Sequence, residues 1–506
     1  MSTRKAVLLN VTWNWAGMAV NMAAGFLTAP FLFRRLGETS YGLWIVLASF
    51  SSYFGMLDLG VRGAVGRQMA LRRAQGDRLG VNSILSTSLT ILSLCGGFAF
   101  LATLGLSFVF LRVFDVPPQH ANDARMALLL IGLNLALWLP LNVFDGTLWA
   151  AQRFDILNAI DVTSVLLRTV LTFALITDSN NLVTLAWLNL ITLAGAQAAK
   201  GVASLWIEPT LRAKISLIKA ETARELFGYG VWAFLINVAR TLTLQASPLV
   251  IGIRLGVGFV TPFSVATRLI GYAGALIVAA TGVLTPIATT FHAEGSGDRQ
   301  KRLFAEGGKY CAVLSLFFVT LFLLLGYPLI TFWMGSYLAN SSSKLLIILA
   351  LGEALPMSQW ITTGVILGTG RHRPLAWANV TECVAAVALA ALLAGPFGLV
   401  GVCVAFAVPG TLCRGVFQLF YGCRLVGIPA RQYLAEVLAP PLAIATMLAA
   451  VMAMIVIYFP PQTTLKFLAY GAGYSLAYFT ACGMLLIGYS RFKVIADGLV
   501  RKLSRA

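Results

Sequence analysis

Four arginines lie inside long apolar runs of the sequence: Arg168, Arg240, Arg268 and Arg414. A charged side chain at the centre of a bilayer costs at least about 2.5 kcal/mol on insertion scales, so it persists where it faces protein or a hydrated cavity. A guanidinium in such a place keeps its charge and offers two parallel hydrogen bonds to a phosphate. Arg240 stands midway along its run, about 20 Å of helix from either end at 1.5 Å per residue, too deep to snorkel out. Its structural alternative is a static pair with an acid such as Glu353. Arg268 is near the outer end of its run and reaches either a cavity or the headgroups. Arg168 stands two helical turns from Asp161, so an ion network competes with a ligand site. For Arg414, near the inner end of a run, snorkelling is the simpler reading.

Acids inside or at the ends of apolar runs are Asp58, Asp145, Asp161, Glu353, Glu382 and Glu436. If transport is driven by ion exchange, Glu353 and Asp58 are the candidate sites for Na+ or H+, with a charge partner for a nearby arginine as the alternative role. The three histidines, His120, His292 and His372, are far apart, and the seven cysteines form no CxxC pair. That spacing argues against zinc, haem and a disulfide framework. With no nucleophile constellation and no GxxxxGK[ST] string, neither an enzyme nor an ATP hydrolase is expected. No cofactor beyond a coupling ion is implied.

The elements that must position these charges follow from composition. Of 506 residues 58% are hydrophobic and 11% charged, where a soluble domain carries about 25% charged residues. The chain therefore reads as an all-α integral membrane protein. A spanning helix needs about 20 apolar residues. Runs between charge and turn clusters give fourteen spans, at 8–33, 41–61, 82–111, 125–149, 157–177, 182–206, 226–253, 262–290, 309–333, 344–368, 374–394, 397–421, 434–458 and 466–489. With the N-terminus cytoplasmic, inner loops and tails hold 26 of the 37 basic residues, Lys200 among them. The outer loops hold Arg34, Arg35, Arg112, Arg125, Arg254, Lys344 and Lys466. This asymmetry orients both termini inward and accounts for the net charge of +18 without nucleic acid.

An internal repeat organises the spans. Arg35-Leu36-Gly37 recurs as Arg254-Leu255-Gly256, and Trp13 as Trp232, at a shift of 219 residues. Gly76-Asp77-Arg78 pairs with Gly297-Asp298-Arg299, and Leu139-Pro140, Arg153 and Asn158 pair with Leu355-Pro356, Arg371 and Asn379. Asp161 and Glu382 are equivalent in this scheme, which suggests a shared structural role. A nearly constant offset across separated anchors indicates duplication, and an even number of spans between the copies makes them parallel repeats. The organisation read from this is a six-helix lobe at 1–206, a cytoplasmic linker at 207–225, a second six-helix lobe at 226–423, and two further helices with a basic cytoplasmic tail at 424–506. Asn21 and Ser49 occupy the positions of Arg240 and Arg268 in the first copy, so the second copy alone carries those two charges.

The string Arg34-Arg35-Leu36-Gly37 to Tyr41-Gly42-Leu43-Trp44, then Leu57-Asp58-Leu59-Gly60 and the basic loop Arg62 to Arg78, resembles the opening of the bacterial polysaccharide-unit flippases. The run Phe263 to Leu269, with Leu284-Thr285-Pro286 and the Gly297-Asp298 loop, is similar to the start of that family's second lobe. These flippases share a superfamily with MATE multidrug antiporters and the lipid II flippase. The resemblance implies an inner-membrane carrier of undecaprenyl-diphosphate-linked oligosaccharide, serving surface polysaccharide or lipopolysaccharide biosynthesis by alternating access. It also implies that the two extra helices form a groove for the lipid tail. In that reading Arg240 and Arg268 hold the diphosphate and Arg168 is a further candidate. Expected partners are the lipid-linked oligosaccharide, membrane lipids, and a polysaccharide polymerase or glycosyltransferases. Two competing readings are a cation-coupled multidrug antiporter, disfavoured by the arginine bias, and a non-transporting scaffold for polysaccharide assembly.

Overall fold

A computed structural model describes residues 3–58, 61–177, 181–228, 231–282, 284–371 and 373–487. Leu59, Gly60, His372 and the basic tail from Arg491 onward lie outside the described residues, as do the side chains of Arg4, Lys5, Trp13, Arg62, Trp232, Thr285 and Pro286. The described residues form helices and turns with no strand, as a chain that must satisfy its backbone within a bilayer requires. Cα packing divides the chain into two compact units, Met1–Thr261 and Pro262–Ala506.

The first unit contains α1 (Thr3–Gly55), α2 (Val61–Ala74), α3 (Arg78–Val113), α4 (Ala121–Leu141), α5 (Val143–Ala150), α6 (Phe154–Leu175), α7 (Asn181–Ile207), α8 (Ala220–Gly228) and α9 (Val231–Arg254). The helix α9, which the repeat assigns to the second copy, packs in this unit on α1, and α8, mostly within the expected linker, packs on α2 and α3. Gly42 makes the approach possible at the turn after α9, because a Cβ there would clash with the Val257 carbonyl oxygen. Thr261 Oγ1 closes the same junction by donating to the Glu38 carbonyl at 2.8 Å.

The second unit runs from α10 (Val260–Thr281) through α11 (Leu284–Ala293), α12 (Gly297–Met334), α13 (Ser336–Ser358), α14 (Trp360–Gly368) and α15 (Arg373–Gly410). A π-helical stretch, Thr411–Phe417, leads into α16 (Gln418–Val426), and α17 (Ala430–Tyr433), α18 (Ala439–Tyr458) and α19 (Thr464–Ile487) complete it. The last two helices dock on α12, α18 through Ala445 and Met452 and α19 chiefly through aromatics. Tyr478 donates to the Val313 carbonyl at 2.9 Å, and Phe317 packs among Tyr474, Tyr478 and Phe479.

Ten described segments are long and apolar enough to cross a membrane. Two of them, Trp15–Ala74 and Arg373–Val426, each contain two rods joined at a glycine of positive φ, Gly37 (φ 74°) and Gly398 (φ 57°). With α9 and α19 the set reaches the fourteen spans expected from the sequence. The expected boundaries at residues 34–40 and 395–396 thus fall at or beside Gly37 and Gly398, whose non-helical backbone turns one rod into the next, a conformation that glycine adopts without steric cost.

Positive-φ positions expose the duplication in the backbone itself. Gly37 and Gly256 (φ 102°) share one conformation at the 219 shift, as do Gly76 (φ 70°) and Gly295 (φ 67°). The turn at Gly76 is closed by bonds from the Gly76, Asp77 and Arg78 amides to the Arg73, Arg72 and Gly76 carbonyls. At Gly295 the amides of Gly295, Ser296 and Gly297 reach His292, Phe291 and Gly295 in the same pattern. The structural partner of Gly76 is therefore Gly295. The pairing with Gly297 expected from the Gly-Asp-Arg string is two residues out of register, misled by chance identity next to a true repeat. Asp77 caps α3 by accepting from Gly80 N at 2.8 Å, and Ser296 occupies the cap position of α12.

A third pair is Gln152 (φ 57°) and Gly370 (φ 71°). The first copy thus holds a side chain in the left-handed region where the second has glycine, at a cost of about 1–2 kcal/mol. A Cβ at Gly370 meets nothing within 4 Å, so only backbone strain opposes one there. Gly370→Ala is expected to lower stability by about 1 kcal/mol, and Gln152→Gly to leave it equal or raise it, read as the midpoint of thermal unfolding in detergent.

Candidate functional site

Lys200 lies two turns before the end of α7 and is 2% exposed. Its ammonium sits 2.9 Å from Asp145 Oδ1 on α5 and 2.8 Å from Asp161 Oδ1 on α6. Asp145 is nearly buried, while the Asp161 side chain is half exposed. One cation therefore ties three helices and leaves one formal negative charge over. The reading of Lys200 as a loop charge is corrected by its burial. The signal for it was present in the sequence, since the lysine falls inside an apolar run of mostly small residues and two acids near span ends need a partner.

The second unit has a related cluster. Arg414, in the π-helical stretch after α15, donates from Nη1 to Glu353 Oε2 at 2.9 Å and from Nη2 to Oε1 at 2.5 Å. Its Nε bonds Glu382 Oε1 at 2.8 Å. Glu353 is on α13 and Glu382, 2% exposed, is on α15. Snorkelling is overturned for Arg414, because two carboxylates within the bundle hold its guanidinium in place. Glu353 accordingly has both oxygens on Arg414, and the alternative of Arg240 as its partner gives way to that bidentate pair. The extra backbone width of a π turn commonly marks positions where a side chain has been re-aimed, and Arg414 is at the middle of this one.

The clusters are relatives by repeat but differ in where the cation sits. Lys200–Asp145 maps at a shift of 218 onto Gln418–Thr363, a neutral pair in which Gln418 Nε2 donates to Thr363 Oγ1. Arg414 stands one turn earlier than Gln418 on the same helix run. Asp161 and Glu382 each bond the cation on the last span of their own repeat copy, by different registers.

The remaining candidates are dispersed. Arg168, half-buried on α6, donates from Nη1 to Asn189 Oδ1 on α7 at 3.0 Å. The ion network expected between Arg168 and Asp161 is corrected, since Asp161 turns to Lys200. Arg240 presents an exposed side chain from the middle of α9 in the first unit. Arg268 is half-buried on α10 in the second. Asp58 ends the short 3-10 turn Met56–Asp58 after α1 and is half-buried. Among the described residues no group of three His, Cys, Asp or Glu could hold a metal ion.

Two units of apolar helices with internal ion clusters define a multi-pass membrane protein. A family model described as "Polysaccharide biosynthesis protein" matches residues 39–343, and the chain belongs to that family. Among curated relatives, the "Uncharacterized membrane protein EpsK" of Bacillus subtilis (strain 168) is 22% identical, covering 85% of this chain and 86% of the relative. The "Putative O-antigen transporter" of Shigella flexneri is 20% identical over 82% of this chain and 98% of its own length. Among solved structures, an inward-facing multidrug resistance MATE family transporter of the MOP superfamily superposes with a TM-score of 0.69 at 14% identity, covering 81% of this chain and 94% of its own. The lipid II flippase MurJ, in an inward closed conformation, does so with a TM-score of 0.67 at 14% identity, covering 94% and 98%. Family and fold together make the chain a membrane protein of the polysaccharide biosynthesis family with the fold seen in these transporters.

Removing one partner of a buried ion pair leaves its neighbours uncompensated, which costs about 3–5 kcal/mol. Lys200→Met is therefore expected to lower the yield of folded, detergent-extracted protein sharply. The triple change Lys200→Met, Asp145→Asn, Asp161→Asn is expected to recover most of it, measured by size-exclusion profile and thermal midpoint.

Proposed function

We propose that the protein translocates undecaprenyl-diphosphate-linked oligosaccharide across the bacterial inner membrane, opening alternately to each side, with both termini cytoplasmic. The observation that carries this reading is Arg240, a guanidinium exposed at mid-span in a chain of the polysaccharide biosynthesis family. Oxyanions of a diphosphate match a guanidinium in charge and geometry, and a position at bilayer depth lets the lipid tail stay among acyl chains while the headgroup moves. The similarity to a protein named as an O-antigen transporter and to a lipid II flippase fold supports the same substrate class.

Arg168 in the first unit and Arg268 in the second are further contacts for the anionic headgroup in this reading. Held by a neutral amide, Arg168 retains donors for a ligand. Drive by Na+ or H+ exchange belongs to the same proposal. Of the two acids considered for it, Asp58 suits the role better, because a cation at Glu353 must first displace Arg414. A polymerase or glycosyltransferases supply and receive the glycan.

In a strain lacking the gene, the wild-type copy is expected to restore surface glycan. Arg240→Ala is expected to abolish display at an unchanged level of protein in the membrane, with lipid-linked oligosaccharide accumulating inside the cell. Normal glycan display in that variant would remove Arg240 from the mechanism, and a change in drug resistance with glycan unaltered would favour the antiporter.

A further inference from the structure

The segment between α7 and α8 holds a fixed shape with a single 3-10 turn, Ile215–Leu217. Asn82 of α3 clamps it from both sides, donating to the Thr210 carbonyl at 3.1 Å and accepting from Arg212 N at 2.9 Å. Lys214 N donates to Ser86 Oγ at 3.0 Å, Ser83 Oγ donates to the Leu217 carbonyl at 2.8 Å, and Lys219 N reaches Thr87 Oγ1 at 3.3 Å. Leu211 and Leu226 anchor the two ends in the core formed with α2, α3 and α5. The polar face of one turn and a half of α3 thus serves as a template for the segment's backbone.

What the template displays is unusual for a water-facing loop. Ile215 is 88% exposed and Ile218 is also exposed, between the exposed side chains of Arg212, Lys214 and Lys219. No acid occurs from Pro209 to Ala220. Of the acids that flank the segment, Glu208 pairs with Arg73 and Glu225 with Arg72 of α2, and the exposed Glu221 lies beyond it in the first turn of α8. The segment begins four residues after Trp206, which is 77% exposed at the end of a membrane-crossing helix, where tryptophan marks the headgroup level. Topology rules account for the cations but not for two isoleucines held outward by a pinned backbone.

We propose that residues 210–219 form an interfacial anchor that binds the anionic phospholipid surface of the protein's own membrane, with Ile215 and Ile218 entering the acyl boundary and Arg212, Lys214 and Lys219 meeting headgroup phosphates. Charge complementarity favours this occupant, since the presented surface is uniformly basic around an apolar tip and starts at the bilayer interface. The inference is independent of the transported substrate.

The test uses the full-length chain carrying Ser216→Cys, labelled with a water-soluble, environment-sensitive fluorophore. It is reconstituted in phosphatidylcholine vesicles with or without phosphatidylglycerol, and unsubstituted protein treated alike gives the background. Quenching by lipids brominated in the acyl chain is expected to be at least about twofold greater in the anionic vesicles and to lose that excess at high salt. The triple variant Arg212→Gln, Lys214→Gln, Lys219→Gln is expected to show equal quenching in both lipids, and Ile215→Ser with Ile218→Ser to show less in each. Equal quenching of the wild-type segment in both lipids would overturn the proposal, as would an anionic excess that survives salt. Protection of the label that requires an added soluble protein would also overturn it and point to a protein partner. The salt titration of the unmodified segment keeps the test decisive if a variant fails to fold.

Discussion

Lys200 and Arg414 carry fixed positive charges into the interior of apolar helix bundles, and each is held by two carboxylates from neighbouring helices. Bringing such charges out of water costs several kcal/mol per ion, and only close, multiply bonded geometry offsets that. Much of the helix arrangement follows from this requirement. In the first unit α5, α6 and α7 must converge near Lys200. In the second, α13, α15 and the π-helical stretch must converge on Arg414, and the π turn places its guanidinium between Glu353 and Glu382. Within each unit these ion clusters add to the van der Waals packing that associates apolar helices in lipid.

The two clusters also divide the intramembrane charges by role. Lys200, Arg414, Asp145, Asp161, Glu353 and Glu382 are occupied with one another. Arg168, by contrast, rests on an amide and Arg240 presents an exposed side chain. In the proposed function these two arginines are the groups offered to an anionic headgroup.

Much of this architecture was legible in the sequence, and particular residues show why the rest was not. Hydropathy and the Arg35-Leu36-Gly37 repeat give the span count and the duplication, because apolar length and positive-φ glycines are local properties. Register within a turn is finer than short identities resolve, so the Gly-Asp-Arg match selected Gly297 over Gly295. Ion pairing is a tertiary property. Asp161 is two turns from Arg168 on its own helix, yet it bonds Lys200 on the next one, and nothing in linear spacing distinguishes those outcomes. Arg414 was legible as a charge near a span end, but its escape to the surface depended on which residues surrounded it. Glu353 and Glu382, far away in sequence, decide that.

Transport itself is the most direct test of the account. Purified protein reconstituted in vesicles with undecaprenyl-diphosphate-linked oligosaccharide in the inner leaflet should render the glycan susceptible to an added, membrane-impermeant glycosidase faster than protein-free vesicles do. An unchanged rate with folded, correctly inserted protein would contradict the assignment of a lipid-linked oligosaccharide as the cargo.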